Sequence, residues 1–505
     1  MTCTTVTFVR ARKRKPVLVA LSHVRLDDTS DRTLRASLDA CLRAAILDGG
    51  IKAGTRLPST RALATELGIS RTTIADVFAQ LVADGLLVAR HGSGTFVAAS
   101  DDVVAPAPPP TAWERASQRG RLFARRTPDD DLQGRLSLPF QPGVPSYEDF
   151  PFDTYGRIAA RILRRPKPEL LGYGESAGYA PLREAIAADL RARGERCRDE
   201  QIVVVGGTSQ ALDLIARLTL DQGDAVWLED PSSLYVRGTF VSAGARVVPI
   251  PVDAHGIDVA AGTACAPEAR LAFVTSAHQW PTGVTLGPER RTALLAWARA
   301  ADAWIVEDEY DGVFRYDGTS PPSLRALDDA DRVIATGTFS LTTFPAIRLG
   351  FIVAPLVLVD AFVAAKAKTD RQASLLEQAI LAEFIHDGHF GRYRAKMRDV
   401  YAGRLARLLA FFERCGSPQI SPPASGLHVI LQLPVGTDDR ALSAAAHAAG
   451  IPAPALSPHY LAAEPKSGLI LGFGAGSCEQ MARAAERLCR EIVPLARARV
   501  RRSRS

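Results

Sequence analysis

The chain of 505 residues has no stretch approaching the roughly 18 uninterrupted apolar residues of a membrane span, so nothing in it reads as a transmembrane helix. Cysteine is scarce and scattered, at positions 3, 41, 197, 265, 415, 478 and 489, without a single C-x-x-C pair. Such a set argues against a disulfide framework or a zinc ribbon and points to reduced thiols in the cytoplasm. The nine histidines are equally dispersed. His386 and His389 share a helix face, but no Cys or carboxylate joins them at ligand spacing, so no metal site is expected. The basic segment from Arg10 to Lys15 precedes an apolar run, Val17 to Leu21, that is too short for a signal peptide. Residues 1–30 therefore read as a disordered basic leader.

What is present is ordinary for a globular protein: 47% hydrophobic and 23% charged residues, with length for about three domains or one large and one small. Charge is unevenly spread. Residues 1–100 hold 14 Lys and Arg against 8 Asp and Glu, a net of +6 that equals the net of the whole chain. A basic module on a neutral body predicts a polyanion partner for the module alone. Between residues 99 and 135 the composition turns to Pro, Ala, Asp and Arg, including Ala105-Pro-Ala-Pro-Pro-Pro110, which favours an extended, semi-rigid linker. Beyond it, residues 136–497 alternate short β-branched strands (201–205, 225–228, 246–249, 271–275, 304–306) with Ala/Leu/Arg helices. That alternation predicts a mostly parallel sheet covered on both faces.

In the basic module, Leu34, Leu38, Leu42, Ala45 and Ile46 form one apolar helix stripe. Ser59 after Pro58 is positioned to cap a helix over 61–67; Gly68-Ile69-Ser70 then makes a tight turn, and Ser70 caps a second helix from Arg71 to Ala83. Residues 86–97 read as two strands around the Gly-rich turn His91-Gly92-Ser93-Gly94. From Leu57-Pro-Ser-Thr-Arg-Ala-Leu through Ser70-Arg-Thr-Thr-Ile to Gly92-Ser-Gly-Thr-Phe96, the module closely resembles the GntR-type winged helix, and residues 31–98 are assigned to it. The resemblance implies double-stranded DNA as partner. Arg61 and Arg71 would meet phosphates or guanine edges, Thr72 and Thr73 would open the recognition helix, and His91 and Gly92 would form the wing tip.

The larger part resembles fold-type-I aminotransferases, and the whole chain resembles the MocR family, which joins a GntR-type winged helix to an aminotransferase-like domain. Tyr173-Gly174 through Gly178-Tyr-Ala-Pro-Leu-Arg183 matches a Y-x-x-x-x-G-x-x-x-L-R landmark. The fold implied is a three-layer α/β pyridoxal-phosphate transferase fold with a small C-terminal α/β subdomain at roughly 375–497. By the same resemblance Gly207, Thr208 and Ser209, with Ser340 and Arg348, would hold the phosphate of pyridoxal 5'-phosphate (PLP). Asp308 would face its pyridine nitrogen and Tyr310 its 3-oxygen. The departures are specific. In Gly337-Thr-Phe-Ser-Leu-Thr-Thr-Phe-Pro-Ala-Ile-Arg-Leu-Gly350 the slot of the Schiff-base lysine holds Leu341, which has no nitrogen. Ser233 occupies the place of a ring-stacking aromatic, and Trp280 that of the asparagine before the Pro-Thr-Gly turn.

These residues leave three functions to separate. One is a DNA-binding regulator whose catalytically inactive aminotransferase-like domain dimerises and senses a small effector, PLP bound non-covalently at most or another, unidentified molecule. The second is an active transaminase with an accessory DNA-binding domain, for which Lys366 or Lys368 would have to replace the missing lysine although neither is in register. The third is a dimeric regulator that responds to no effector.

Overall fold

The computed structural model describes residues 34–47, 51–52, 54–84, 86–90, 94–98, 117–124, 138–318, 321–414, 420 and 422–492. The chain divides into two compact units, Met1–Arg115 and Ala116–Ser505. In the first, helices α1 (Leu34–Leu47), α2 (Thr60–Leu67) and α3 (Arg71–Ala83) precede an antiparallel pair, β1 (Leu87–Arg90) and β2 (Gly94–Val97). Ser59 caps α2 by accepting from Ala62 N, and Gly68 closes the helix in the left-handed region at φ 67°. Ser70 caps α3 through Thr73 N at 3.1 Å. Leu38, Leu42, Leu63, Ile74, Val77, Leu81, Leu87 and Val97 meet in one core, the inward faces of all three helices and the hairpin.

The second unit opens with a short helix, α4 (Gln118–Phe123), followed by α5 (Phe152–Arg164) and α6 (Ala180–Ala192). Part of the segment expected to be an extended linker is thus helical. Ser117 caps α4, and Arg119 Nη2 donates to Ala243 O at 2.8 Å, a packing contact that local composition does not encode. An eight-stranded sheet follows, from β3 (Ile202–Val205), β4 (Ala225–Asp230), β5 (Arg246–Asp253), β6 (Gly256–Ile257), β7 (Leu271–Val274), β8 (Trp304–Glu309), β9 (Val333–Thr338) and β10 (Gly350–Val353). Their order is β3-β10-β9-β8-β7-β4-β5-β6. The central pairs are parallel; β10 runs antiparallel to both neighbours, and β6 antiparallel to β5. This is the expected three-layer α/β arrangement, with two reversed strands, β10 and the short β6, that apolar alternation gave no means to orient.

Helices α7 (Thr208–Thr219) and α8 (Leu234–Ala243) cover one face, burying Leu212, Ile215 and Phe240 against Val203, Val226, Val306 and Ile334. On the opposite face Trp227 stacks on Trp297 with ring centroids 3.8 Å apart. The C-terminal hairpin, β11 (His428–Gln432) with β12 (Gly468–Gly472), lies in the region expected to be the small subdomain. Its core is shared rather than separate: Phe150, Tyr155 and Leu182 of the early segment pack in one cluster with Phe384, Tyr393, Leu431 and Leu471. Segments distant in sequence complete each other's apolar surface, so no boundary at 375 divides the hydrophobic core.

Candidate functional site

On the winged helix, Arg61, Arg71 and Thr72 are exposed and Thr73 is half-buried. The cap draws the two threonines together at the start of α3, Ser70 Oγ lying 2.8 Å from Thr72 Oγ1 and 2.7 Å from Thr73 Oγ1. Neither arginine is paired with a carboxylate among the described residues, so both guanidiniums are available to an anion. His91 and Gly92 lie outside the described residues.

In the large unit the expected residues collect where the strands end at one edge of the sheet. Gly207, after β3, has φ 117° and caps α7 without any side-chain bond. A Cβ there would lie 3.2 Å from Arg348 Nη2. The guanidinium, delivered by a residue at φ 48° just before β10, therefore lies directly over this backbone. A helix N-terminus and an arginine fork facing one another are an arrangement suited to an anion. Thr208 is half-buried and Ser209 exposed beside it; Ser340, half-buried, closes the turn after β9 through its amide bond to Thr338 Oγ1 at 3.1 Å. The landmark glycine at 178 has φ 109° and would place a Cβ 2.6 Å from Val204, which fixes the loop against β3.

Asp308 lies two residues after Val306 on β8 and opposite Thr336 on β9, which puts its side chain on the sheet face that α7 covers. Thr336 Oγ1 donates to its Oδ1 at 2.6 Å, and burial lifts its pKa to about 7. Burial lifts Glu229 to about 7 as well, in a network with Thr275 and Gln279. A carboxylate raised from 3.8 holds an extra proton in the folded state. The stability it contributes is complete below pH 4 and is lost as pH rises toward 7, by up to about 4 kcal/mol for such a shift. Asp308→Asn is expected to flatten that decline, measured as urea midpoints between pH 4.5 and 7.5; an unchanged slope would show that Asp308 titrates normally. A ligand carrying a protonated ring nitrogen would supply the counter-charge this carboxylate lacks.

Tyr310 Oη donates to His278 O at 2.9 Å and lies 3.2 Å from His278 Nδ1, and burial pushes its pKa well above the ordinary value. His278 Nδ1 is 2.9 Å from Asp311 Oδ1, while Asp311 Oδ2 accepts from Leu427 N at 2.8 Å. Tyr316 Oη donates to Gly426 O at 2.7 Å. Burial lowers the His428 pKa to about 3, and its Nε2 reaches Pro281 O at 3.0 Å. One ligand atom from each of His278, Asp311 and His428 falls within 4.8 Å of the others. Sequence reading missed this buried group because its members are far apart in the chain and follow no ligand spacing. It ties Tyr310 to the residues that lead into β11.

Leu341 is buried and packs in the apolar cluster of Phe339, Ile347 and Leu349. The alternative amine, Lys366 Nζ, is fully buried and bonded to both Asp370 oxygens at 2.7 and 2.9 Å. Ser233 Oγ caps α8 through Val236 N. Trp280, in the place of the asparagine, is 6.3 Å from the Tyr310 ring and 4.6 Å from that of His428.

Two family profiles match this chain: "Bacterial regulatory proteins, gntR family" over residues 34–97 and "Aminotransferase class I and II" over residues 147–488. It is similar to a "Probable rhizopine catabolism regulatory protein MocR" of Rhizobium meliloti, 39% identical over 454 residues that cover 89% of this chain and 91% of that one. An HTH-type transcriptional regulator of Bacillus subtilis, YhdI, is 31% identical and covers 93% and 98%. Among solved structures, LysN, the α-aminoadipate aminotransferase of Thermus thermophilus complexed with N-(5'-phosphopyridoxyl)-L-leucine, superposes with a TM-score of 0.70 at 27% identity. That match covers 76% of this chain and 99% of LysN. A gntR-type helix-turn-helix at one end, an aminotransferase class I and II domain over most of the rest and near full-length likeness to MocR together place this chain in the MocR family of transcriptional regulators.

Proposed function

We propose that the protein is a cytoplasmic, homodimeric transcription regulator that binds double-stranded DNA through α2, α3 and the wing. In this reading its aminotransferase-like domain receives a small ligand and carries out no transamination. The observation that carries the second half is Leu341: a buried apolar side chain, part of the same core cluster as Phe339, Ile347 and Leu349, stands where a nucleophilic amine is required. Lys366, engaged with Asp370 at the C-terminal end of its own helix, Val359–Thr369, offers no replacement.

The residues around that position fit PLP held without a covalent bond. Gly207, Thr208, Ser209 and Arg348 would hold its phosphate, with Ser340 beside them. Asp308 would keep a proton on its ring nitrogen, and the Tyr310 hydroxyl would turn from His278 O toward its 3-oxygen. When bound, PLP acts as an electron sink, but this chain has no group at 341 to attach it or to move a substrate α-proton. The exposed apolar residues Phe152, Leu163, Leu171 and Tyr173, 51%, 55%, 65% and 84% accessible, fall within one 22-residue segment and support its burial against a second copy of the chain.

A gel-shift titration on the DNA upstream of the protein's own gene, with and without PLP, tests the reading. Retardation at low salt that weakens as salt rises is expected, with a changed midpoint when PLP is added. No retardation at any salt would remove the DNA-binding role. Turnover of amino acids by the purified protein would remove the non-catalytic one.

A further inference from the structure

The segment before α2 carries a cation whose placement the motif resemblance does not address. Residues 54–57 add a short third edge to the wing sheet: Gly54 N donates to Val97 O, Val97 N to Thr55 O and Leu57 N to Thr95 O, each at 2.9 Å, and Arg56 bridges Phe96. Strand alternation then sorts the side chains. Leu57 and Val97 turn into the core, 3% and 4% exposed, so Arg56 and its partner Phe96 belong to the outer face. Gly94, two residues before Phe96, lies on that face too and is the first residue of β2 after the wing tip. A Cβ on Gly94 would stand 2.9 Å from Arg56 Nε and 3.2 Å from Nη2. The guanidinium therefore rests on the bare glycine backbone at the tip end of the wing. It is exposed, and among the described residues no carboxylate pairs with it. Arg43 of the same module is neutralised internally instead, paired with Asp39 and Asp84.

We propose that Arg56 is a further DNA-contacting residue, held on Gly94 beside the wing so that its guanidinium neutralises a backbone phosphate. The proposal rests on the DNA-binding reading above and adds to it a contact outside the helix-turn-helix and the wing tip. A cation without an internal counter-ion meets a phosphate without first breaking an ion pair. A contact of this kind adds affinity and salt dependence without sequence preference.

The test uses the full-length protein and two labelled duplexes of equal length, one from upstream of its own gene and one unrelated, followed by anisotropy from 50 to 200 mM salt. Arg56→Ala is expected to weaken binding to both duplexes alike, by about tenfold at 0.1 M salt, and to reduce the slope of log K against log salt by about 1. Arg56→Lys should restore most of that slope. An unchanged slope with Arg56→Ala would overturn the proposal while leaving the DNA-binding reading intact. A loss confined to the upstream duplex would also overturn it, because a phosphate contact does not distinguish sequences. If the unmodified protein binds neither duplex, the DNA-binding reading itself fails.

Discussion

Leu341→Lys is expected to let borohydride fix pyridoxal phosphate to the protein permanently, where the non-covalent complex proposed for the unmodified chain would be released. The turn after β9 already presents position 341 within the apolar cluster of Phe339, Ile347 and Leu349. An amine placed there is desolvated, which lowers its pKa and favours the neutral, nucleophilic form. Without ligand the same burial should destabilise the variant by more than about 2 kcal/mol, since a lysine without a partner replaces a packed leucine. PLP should return much of that loss by mass action. Absorbance and mass spectrometry after borohydride treatment distinguish the outcomes. A fixed adduct in the unmodified protein would mean that another amine serves the site. A variant that binds PLP but is never fixed would mean that 341 is out of register with the aldehyde. Saturable binding to the unmodified protein, followed by calorimetry, is the result expected of a non-covalent sensor.

Arg71→Ala is the second substitution with a large expected effect. Arg71 is the first residue of α3, exposed, directly after the Ser70 cap and next to Thr72. An arginine there that reads a guanine edge is worth about 1–3 kcal/mol, so the variant should bind the upstream duplex roughly 5- to 150-fold more weakly while losing far less on unrelated DNA. Folding should be unaffected, because the cap and the core residues Ile74, Val77 and Leu81 remain. An equal loss on both duplexes would reassign Arg71 to a phosphate, and no loss would remove it from the interface. Arg61→Ala, in the turn of α2 that follows the Ser59 cap, is the natural comparison.

The two halves of the molecule differ in how much of this was legible beforehand. In the winged helix the helices, their caps and the core stripe were, since their determinants are local. Ser59 and Ser70 cap, Gly68 takes a positive φ, and the apolar positions repeat at helical spacing. Each of these acts within four residues. In the large unit the element types were legible for the same reason, but the reversal of β10 and the helix at 118–123 were not. Both depend on surfaces brought up from far along the chain: β3 for the first, Ala243 and α8 for the second. The candidate site was legible as separate short motifs only.

By itself the sequence determined that a basic DNA-binding module precedes a large α/β body, and that no lysine stands at 341. Absence of a nitrogen is a covalent fact that no packing can amend. Tertiary structure decided what surrounds that gap. It set Arg348 over the Gly207 backbone, placed Asp308 on the face covered by α7 and raised its pKa by burial. It also joined Tyr310, His278 and Asp311 to the amide of Leu427, and laid Arg56 across Gly94. Those relations arise from distance, dielectric and hydrogen-bond geometry between residues 32 to well over 100 positions apart, which no local spacing in the chain expresses.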